Sequence, residues 1–271
     1  MIHLRRASES EVCPELESIR NAELKRVRKA LGEGKALDQK LLGDRYAVAR
    51  SPLARIQRYK CCYCEGRSQD ERWRHVEHFR PKAKVKRNTD EQESDGYWWL
   101  TWTWDNLLFC CELCNNAKGT DFPLLPRSKP LLPEQSPPGT ERPILIDPAA
   151  EDPREHIQFK PYGEHWFPRP RSERGAAMLR AVGLEFELGI ARPGLVDEWD
   201  DHVRTLRPTV EAIQQAIESN NTEQIQRAWA RTREFRFSTG RFVALALDVL
   251  DYHFPEHVRQ RWSLSLDVLY P

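Results

Sequence analysis

The sequence carries almost no net charge. Its 42 Lys and Arg are matched by 41 Asp and Glu, a formal +1 over 271 residues, so the molecule as a whole is not a polycation. A long apolar run is also missing. The opening "MIHLRRASESEVCPELES" holds no stretch of signal-peptide character, and nothing later approaches the roughly 18 apolar residues of a membrane span. The expectation is therefore a cytoplasmic protein with reduced thiols and no membrane partner. Hydrophobic content of 39% and charged content of 31% exclude a disordered chain. The length suits one large domain or two small ones.

What the chain does have is uneven. Between Arg50 and Asn88, twelve Lys and Arg face four acids. Such a local excess suits either a phosphate-bearing ligand or a solvated surface balanced by the following "TDEQESDG". Six of the seven cysteines fall in two clusters, at 61, 62, 64 and at 110, 111, 114. Cys61-x-x-Cys64 and Cys111-x-x-Cys114 have metal-knuckle spacing, and four thiolates so arranged make a closed, tetrahedral, structural zinc site. An odd cysteine count and tight CxxC pairs argue against disulfides. Cys62, Cys110 and the isolated Cys13 are read as bystanders. The 46 residues between the knuckles call for a folded insert.

That insert carries "RHVEHFRPKAKVKR". The run "HVEHF" has strand character and is stopped by Pro81; "NLLFC" begins at Asn106; Asn115 and Lys118 open a short helix closed by Gly119. The ordered set Glu77-His78-Phe79-Arg80-Pro81, Asn106-Leu107, Cys111-x-x-Cys114 and Asn115, with Lys118, resembles the HNH endonuclease motif, also called ββα-metal. In that motif an acid-His or His-His pair precedes x-x-Pro, an asparagine precedes a CxxC, and a His or Asn follows it. The resemblance implies a catalytic set of His78, Glu77, Asn106 and Asn115. Within it, His78 is the general base, as the one member able to take a proton near neutral pH. Glu77 and Asn115 would offer oxygens to a single catalytic Mg²⁺ or Mn²⁺, while Asn106 braces the loop and orients the His78 ring. Lys118, Arg80 and Lys82 are candidates for phosphate contact. Asn115 stands where His is commoner, which removes an imidazole ligand and bears on metal choice and affinity.

A narrower likeness rests on "CYCE", "EHFRPK", "YWWLTWTWDNLLFCCELCNNAKG" and "FPL", and more loosely on "LIDPAAEDPREHIQF" and "RGAAMLRAVGLEFELGIAR". Together these resemble the PtuB-like HNH subunits of Septu-type anti-phage systems, which also occur beside retrons. The likeness covers roughly residues 50 to 200. It implies a nuclease effector acting on nucleic acid, DNA ahead of RNA, beside a PtuA-like ATPase. Composition and spacing show no such partner.

The expected fold class is α+β, mostly helical: a zinc-stapled ββα-metal core with helical N- and C-terminal parts. Residues 1–50 form a helical segment, with an amphipathic stripe of Leu16, Ile19, Leu24, Val27 and Leu31. The core spans 51–125, a Pro-rich linker 126–143, and a mainly helical region suited to partner docking 144–271, without a repeat or a second catalytic signature. Tyr97, Trp98, Trp99, Trp102 and Trp104 could stack on bases, but their spacing and the adjacent "NLL" favour core packing. A function of another class is also open: a catalytically inactive, zinc-stapled adaptor that binds nucleic acid or protein. The presence of both Glu77 and His78 argues against it.

Overall fold

A computed structural model of the chain describes residues 1–67, 74–87, 94–185 and 192–270. Helix α1 (Glu9–Val12) leads into α2 (Glu15–Gly32), followed by α3 (Gln39–Leu42), a 3₁₀ turn over Arg45–Ala49, and α4 (Arg50–Ile56). The stripe foreseen on α2 faces inward: Leu16 and Val27 are buried, and Ile19, Leu24 and Leu31 pack against the same core. Gly43, at φ +66, ends α3 and lets the chain double back into the turn.

Strand β1 (Arg74–His78) pairs antiparallel with β4 (Leu107–Cys111), so that Glu77 stands opposite Leu108 and His78 opposite Leu107. The short strands β2 (Lys84–Val85) and β3 (Ser94–Asp95) pair in the intervening segment. Helix α5 (Glu112–Lys118) leaves β4 directly, with the Cys111 side chain accepting from Cys114 N at its start and Gly119 at φ +49 beyond its end. The ends of β1, β4 and α5 fall where the Pro81, CxxC and Gly119 signals place them. The first knuckle docks on the edge of β4 through Gln57. Its amide donates to Phe109 O at 2.8 Å and accepts from Phe109 N at 2.8 Å, while Cys62 N donates to Phe109 O at 3.0 Å. One side chain thus satisfies backbone groups that an edge strand would leave open.

The aromatic cluster is core. Tyr97, Trp98, Trp99, Trp102 and Trp104 are all buried, and Tyr97 meets Phe122 edge-on at 5.4 Å. Residues 126–143 carry no helix or strand, yet they are anchored rather than free. The buried Glu141 accepts from Arg80 Nε at 2.7 Å and from the Tyr97 hydroxyl at 2.5 Å, and Trp99 Nε1 donates to Gln135 O at 2.8 Å.

Beyond this, β5 (Ile157–Tyr162) and β6 (His165–Pro170) form a hairpin in a segment without a clear helical or strand period. Its prolines at 161, 168 and 170 disguise strand character, because proline removes ladder donors. Helix α6 (Glu173–Ala181) follows. The mainly helical region then runs into one long helix, α7 (Pro193–Glu218), which continues through Pro208. Then come α8 (Thr222–Ala230), α9 (Arg233–Arg236), α10 (Val243–His253) and α11 (Glu256–Arg261). Apolar α10 is tied to the rest at its start and its middle: Glu65, beside the first knuckle, accepts from Val243 N at 2.9 Å, and Asp248 accepts from Phe159 N at 2.7 Å. Among the described residues no helix is long and apolar enough to cross a membrane. Among the described residues the architecture is mixed helix with three two-stranded sheets.

Candidate active site and metal centre

The two knuckles meet. The sulfurs of Cys61, Cys64, Cys111 and Cys114 all lie within 4.8 Å of one another, and the Cys64 and Cys111 sulfurs are 3.9 Å apart. A tetrahedron of ~2.3 Å zinc–sulfur bonds has sulfurs ~3.8 Å apart, so the cluster could hold a structural metal such as zinc. None of the seven cysteines is in a disulfide. Burial disfavours ionisation of Cys61, but hydrogen bonds from Cys110 and the other neighbouring thiols draw it well below the ordinary thiol value. Hydrogen bonds from Cys110 and then Cys114 hold Cys111 at about 3.

Cys62 and Cys110 are not remote, since with Cys61 they form a second triplet within the same 4.8 Å. Burial pushes both thiols well above their ordinary value, but Cys64 and Cys114 are raised as well, so the set Cys61, Cys64, Cys111 and Cys114 is marked by its four-sulfur geometry and CxxC spacing. Arg192 carries no local signature that marks it. This residue, just before α7, donates to the Cys114 sulfur at 3.4 Å and the Cys111 sulfur at 3.8 Å. Four thiolates on a dication leave net negative charge, and a guanidinium at this distance offsets it. Arg192→Ala is expected to speed zinc loss to a competing chelator by about 10-fold or more, measured as chelator-capture kinetics; an unchanged rate would exclude the contact as a tuning element.

Across the hairpin lies a cleft of about 800 Å³ lined by His75, Glu77, His78, Pro81, Lys82, Lys84, Asn115, Asn116 and, from the N-terminal segment, Asp38, Gln39 and Tyr46. Consecutive strand residues normally face opposite sides, but at the end of β1 both Glu77 and His78 reach this cleft.

Glu77 is buried, and its Oε1 receives Lys118 Nζ at 2.7 Å and the Tyr63 hydroxyl at 3.3 Å. Oε2 has no protein donor among the described residues. Burial raises the Glu77 carboxyl above its ordinary value, with Lys118 pulling the other way. His78 Nε2 lies 3.0 Å from Thr101 O. A carbonyl can only accept, so the neutral ring carries its proton on Nε2 and leaves Nδ1 as the basic nitrogen. Burial, and then the charge of Lys82, lower the His78 pKa well below the usual imidazole value, so the ring is neutral near pH 7.

The other sequence-derived candidates divide. Asn115 and Lys82 line the cleft with Glu77 and His78; Asn106, Lys118 and Arg80 do not. Asn106 accepts from Arg80 N at 2.8 Å and donates to Arg80 O at 3.0 Å and Leu100 O at 3.2 Å. It thereby joins the end of β1 to the turn whose next carbonyl, Thr101 O, holds His78. Lys118 is buried beneath the site on Glu77 and on His78 O at 3.2 Å. Arg80 is buried on Glu141. Much of the basic run is likewise spent internally: Lys60 donates to Ser238 O and Arg74 to Gly66 O. The local cation excess therefore does not form one free basic face.

These features define a class: a hairpin–helix unit with four cysteines gathered against it, and a carboxylate–imidazole pair facing a cleft beside them. Comparison with curated proteins gives the particular likeness. The chain is 32% identical over 130 residues, 46% of its length and 42% of the relative's, to the Septu protein PtuB of Bacillus mycoides (strain KBAB4). It is 29% identical over 140 residues, 49% and 43% of the two chains, to the Septu protein PtuB of Bacillus thuringiensis. It also matches the Septu protein PtuA of Bacillus mycoides (strain KBAB4), at 28% over 126 residues, 46% of this chain but 17% of that one. In each case the matched stretch spans less than half of the relative. No family model and no solved structure matches. Two relatives named PtuB at 29–32% identity over about half the chain support a PtuB-like member of the Septu family.

Proposed function

We propose that the chain is a metal-dependent HNH endonuclease that hydrolyses nucleic-acid phosphodiester bonds, as the effector of a Septu-type anti-phage system acting beside a PtuA-like ATPase. The observation that carries the reading is the pairing of Glu77 and His78 at one cleft, with the His78 ring held through Nε2 so that Nδ1 is the available base. His78 takes a proton from the attacking water at Nδ1, and the depressed imidazole pKa keeps it ready to do so near neutrality. Lys82, at the cleft wall, neutralises phosphate charge.

The donor set fits a hard divalent cation: a carboxylate oxygen without a protein donor, on Glu77, and the amide oxygen of Asn115, both lining the cleft. When bound there, Mg²⁺ or Mn²⁺ would supply positive charge for the phosphate and the leaving oxygen. Lys118 keeps Glu77 ionised, and Asn106 fixes the loop that orients His78. The similarity to a PtuB protein and to part of a PtuA protein supports placing the activity beside an ATPase partner.

The test compares wild type with His78→Ala on plasmid DNA and on total RNA, in Mg²⁺, Mn²⁺ or EDTA, with and without the co-expressed partner. Zinc content is measured on both proteins. Metal-dependent cutting that falls by about 10²-fold or more in zinc-replete His78→Ala is the expected result. No cutting of either polymer by wild type under any of these conditions would sink the reading in favour of a zinc-stapled adaptor.

A further inference from the structure

We infer that Tyr46, in the 3₁₀ turn of the N-terminal segment, is a positioning residue of this site: its ring fixes the His78 imidazole and its hydroxyl anchors the Lys82 ammonium at the cleft wall. The inference rests on the nuclease reading for its consequence, but its geometry stands apart from it. The Tyr46 and His78 rings meet edge to face, with centroids 4.6 Å apart and planes at 82°. The bond from His78 Nε2 to Thr101 O fixes one point of the imidazole but leaves it free to swing about that axis. A perpendicular ring packed at this distance restricts that swing and so holds the direction of Nδ1.

The same side chain holds Lys82. Its Nζ donates to the Tyr46 hydroxyl at 2.5 Å and sits 4.0 Å from the ring centroid. A lysine otherwise carries ~2 kcal/mol of rotamer freedom, and a cation placed over a tyrosine ring with one N–H engaged keeps two N–H donors for a phosphate. Tyr46 lies 32 residues before His78 in the sequence and outside the stretch whose motif marks the site. The segment that supplies it also contributes Asp38 and Gln39 to the cleft. One wall of the site is therefore built by the N-terminal helical segment, not by the hairpin–helix unit.

The experiment uses the full-length, zinc-loaded chain as wild type, Tyr46→Phe and Tyr46→Ala. Long-range ¹H–¹⁵N spectra of histidine-labelled protein, with His78 assigned by its loss in His78→Ala, report the tautomer without requiring activity. A single Nε2–H tautomer in wild type and Tyr46→Phe, giving way to a mixture in Tyr46→Ala, is expected; a wild-type His78 pattern in Tyr46→Ala overturns the inference. Cutting kinetics supply the second readout. Tyr46→Ala is expected to lose about 10- to 10²-fold in kcat, whereas Tyr46→Phe, which keeps the ring but not the Lys82 anchor, keeps kcat and raises KM. Equal kcat losses in both variants also overturn it. If wild type cuts nothing yet shows the locked tautomer, the positioning stands and the nuclease reading fails.

Discussion

Cys114→Ser is expected to strip the metal from the chain and to loosen β1, β4 and α5, whereas Cys62→Ser leaves both intact. The reason is the shortness of the elements that meet at the cluster. Strands β1 and β4 have five residues each and α5 has seven, lengths at which neither a lone hairpin nor a lone helix is stable in water. The two knuckles close them into one unit. Structural zinc contributes ~10–16 kcal/mol in peptides of this kind, so losing one of four ligands removes a contribution that the small hairpin cannot replace. Cys114 also starts the turn that carries Asn115, so the cleft loses its far side as well. Cys62 is buried beside the cluster but lies outside the four-sulfur set, and a serine there changes packing by one atom. Metal content and hydrogen exchange measured on both variants test this. Retention of one zinc by Cys114→Ser with unchanged protection over β1, β4 and α5, or loss of zinc by Cys62→Ser, would show that the ligand set is drawn wrongly.

The parts of the molecule legible in the sequence are those that local chemistry dictates. Pro81 ends β1 and Gly119 ends α5, because each signal acts within a few residues of its effect; the helix itself opens at Glu112, three residues before the Asn115 start read from the sequence. Hidden from the sequence was whatever depends on distant partners. Arg80 and Lys118 sit in a motif beside a nuclease-like pair and read as phosphate contacts, yet each is buried on a carboxylate, Glu141 and Glu77. Nothing in a local window tells a cation that will meet a ligand from one that will neutralise a buried acid. Tyr46, Thr101 and Arg192 escaped for the same reason. They have no signature of their own and act only through neighbours that folding brings to them. The β5–β6 hairpin and the passage of α7 through Pro208 failed in a different way: proline lowers the local propensity, and packing against α10 and α8 overrides it. A faint signal for Thr101 did exist, since five aromatics crowded into "YWWLTWTW" had to be core, and the turn they force is the one that presents its carbonyl to His78.

Lys118→Met is expected to destabilise the zinc-loaded protein by about 3–5 kcal/mol at pH 8, and by clearly less at pH 5. Side-chain exposure of the Lys118–Glu77 pair is 0% and 5%, at 2.7 Å, so water cannot take over from the lost partner. Methionine keeps most of the volume of the lysine stem, and the penalty is therefore that of an unpaired buried charge rather than of a cavity. The sign of the pH effect follows from Glu77. Burial raises its carboxyl above the ordinary carboxylate value, and Lys118 opposes that rise. A carboxyl whose folded pKa lies above its unfolded one lends stability below the unfolded value and loses it as pH climbs through the folded value. Removing Lys118 lifts the folded value further, so Glu77 takes up a proton at pH 5 and the variant is spared, while at pH 8 it must stay charged without a partner or bind a proton from dilute supply. Urea unfolding of wild type and Lys118→Met at the two pH values measures this, with Glu77→Gln/Lys118→Met as the partner experiment. The double variant is expected to recover most of the loss and to show no pH difference of its own. An equal loss at both pH values, or none at either, would mean that the pair carries neither the charge nor the placement of Glu77. The ionised carboxylate at the cleft would then need another source of support.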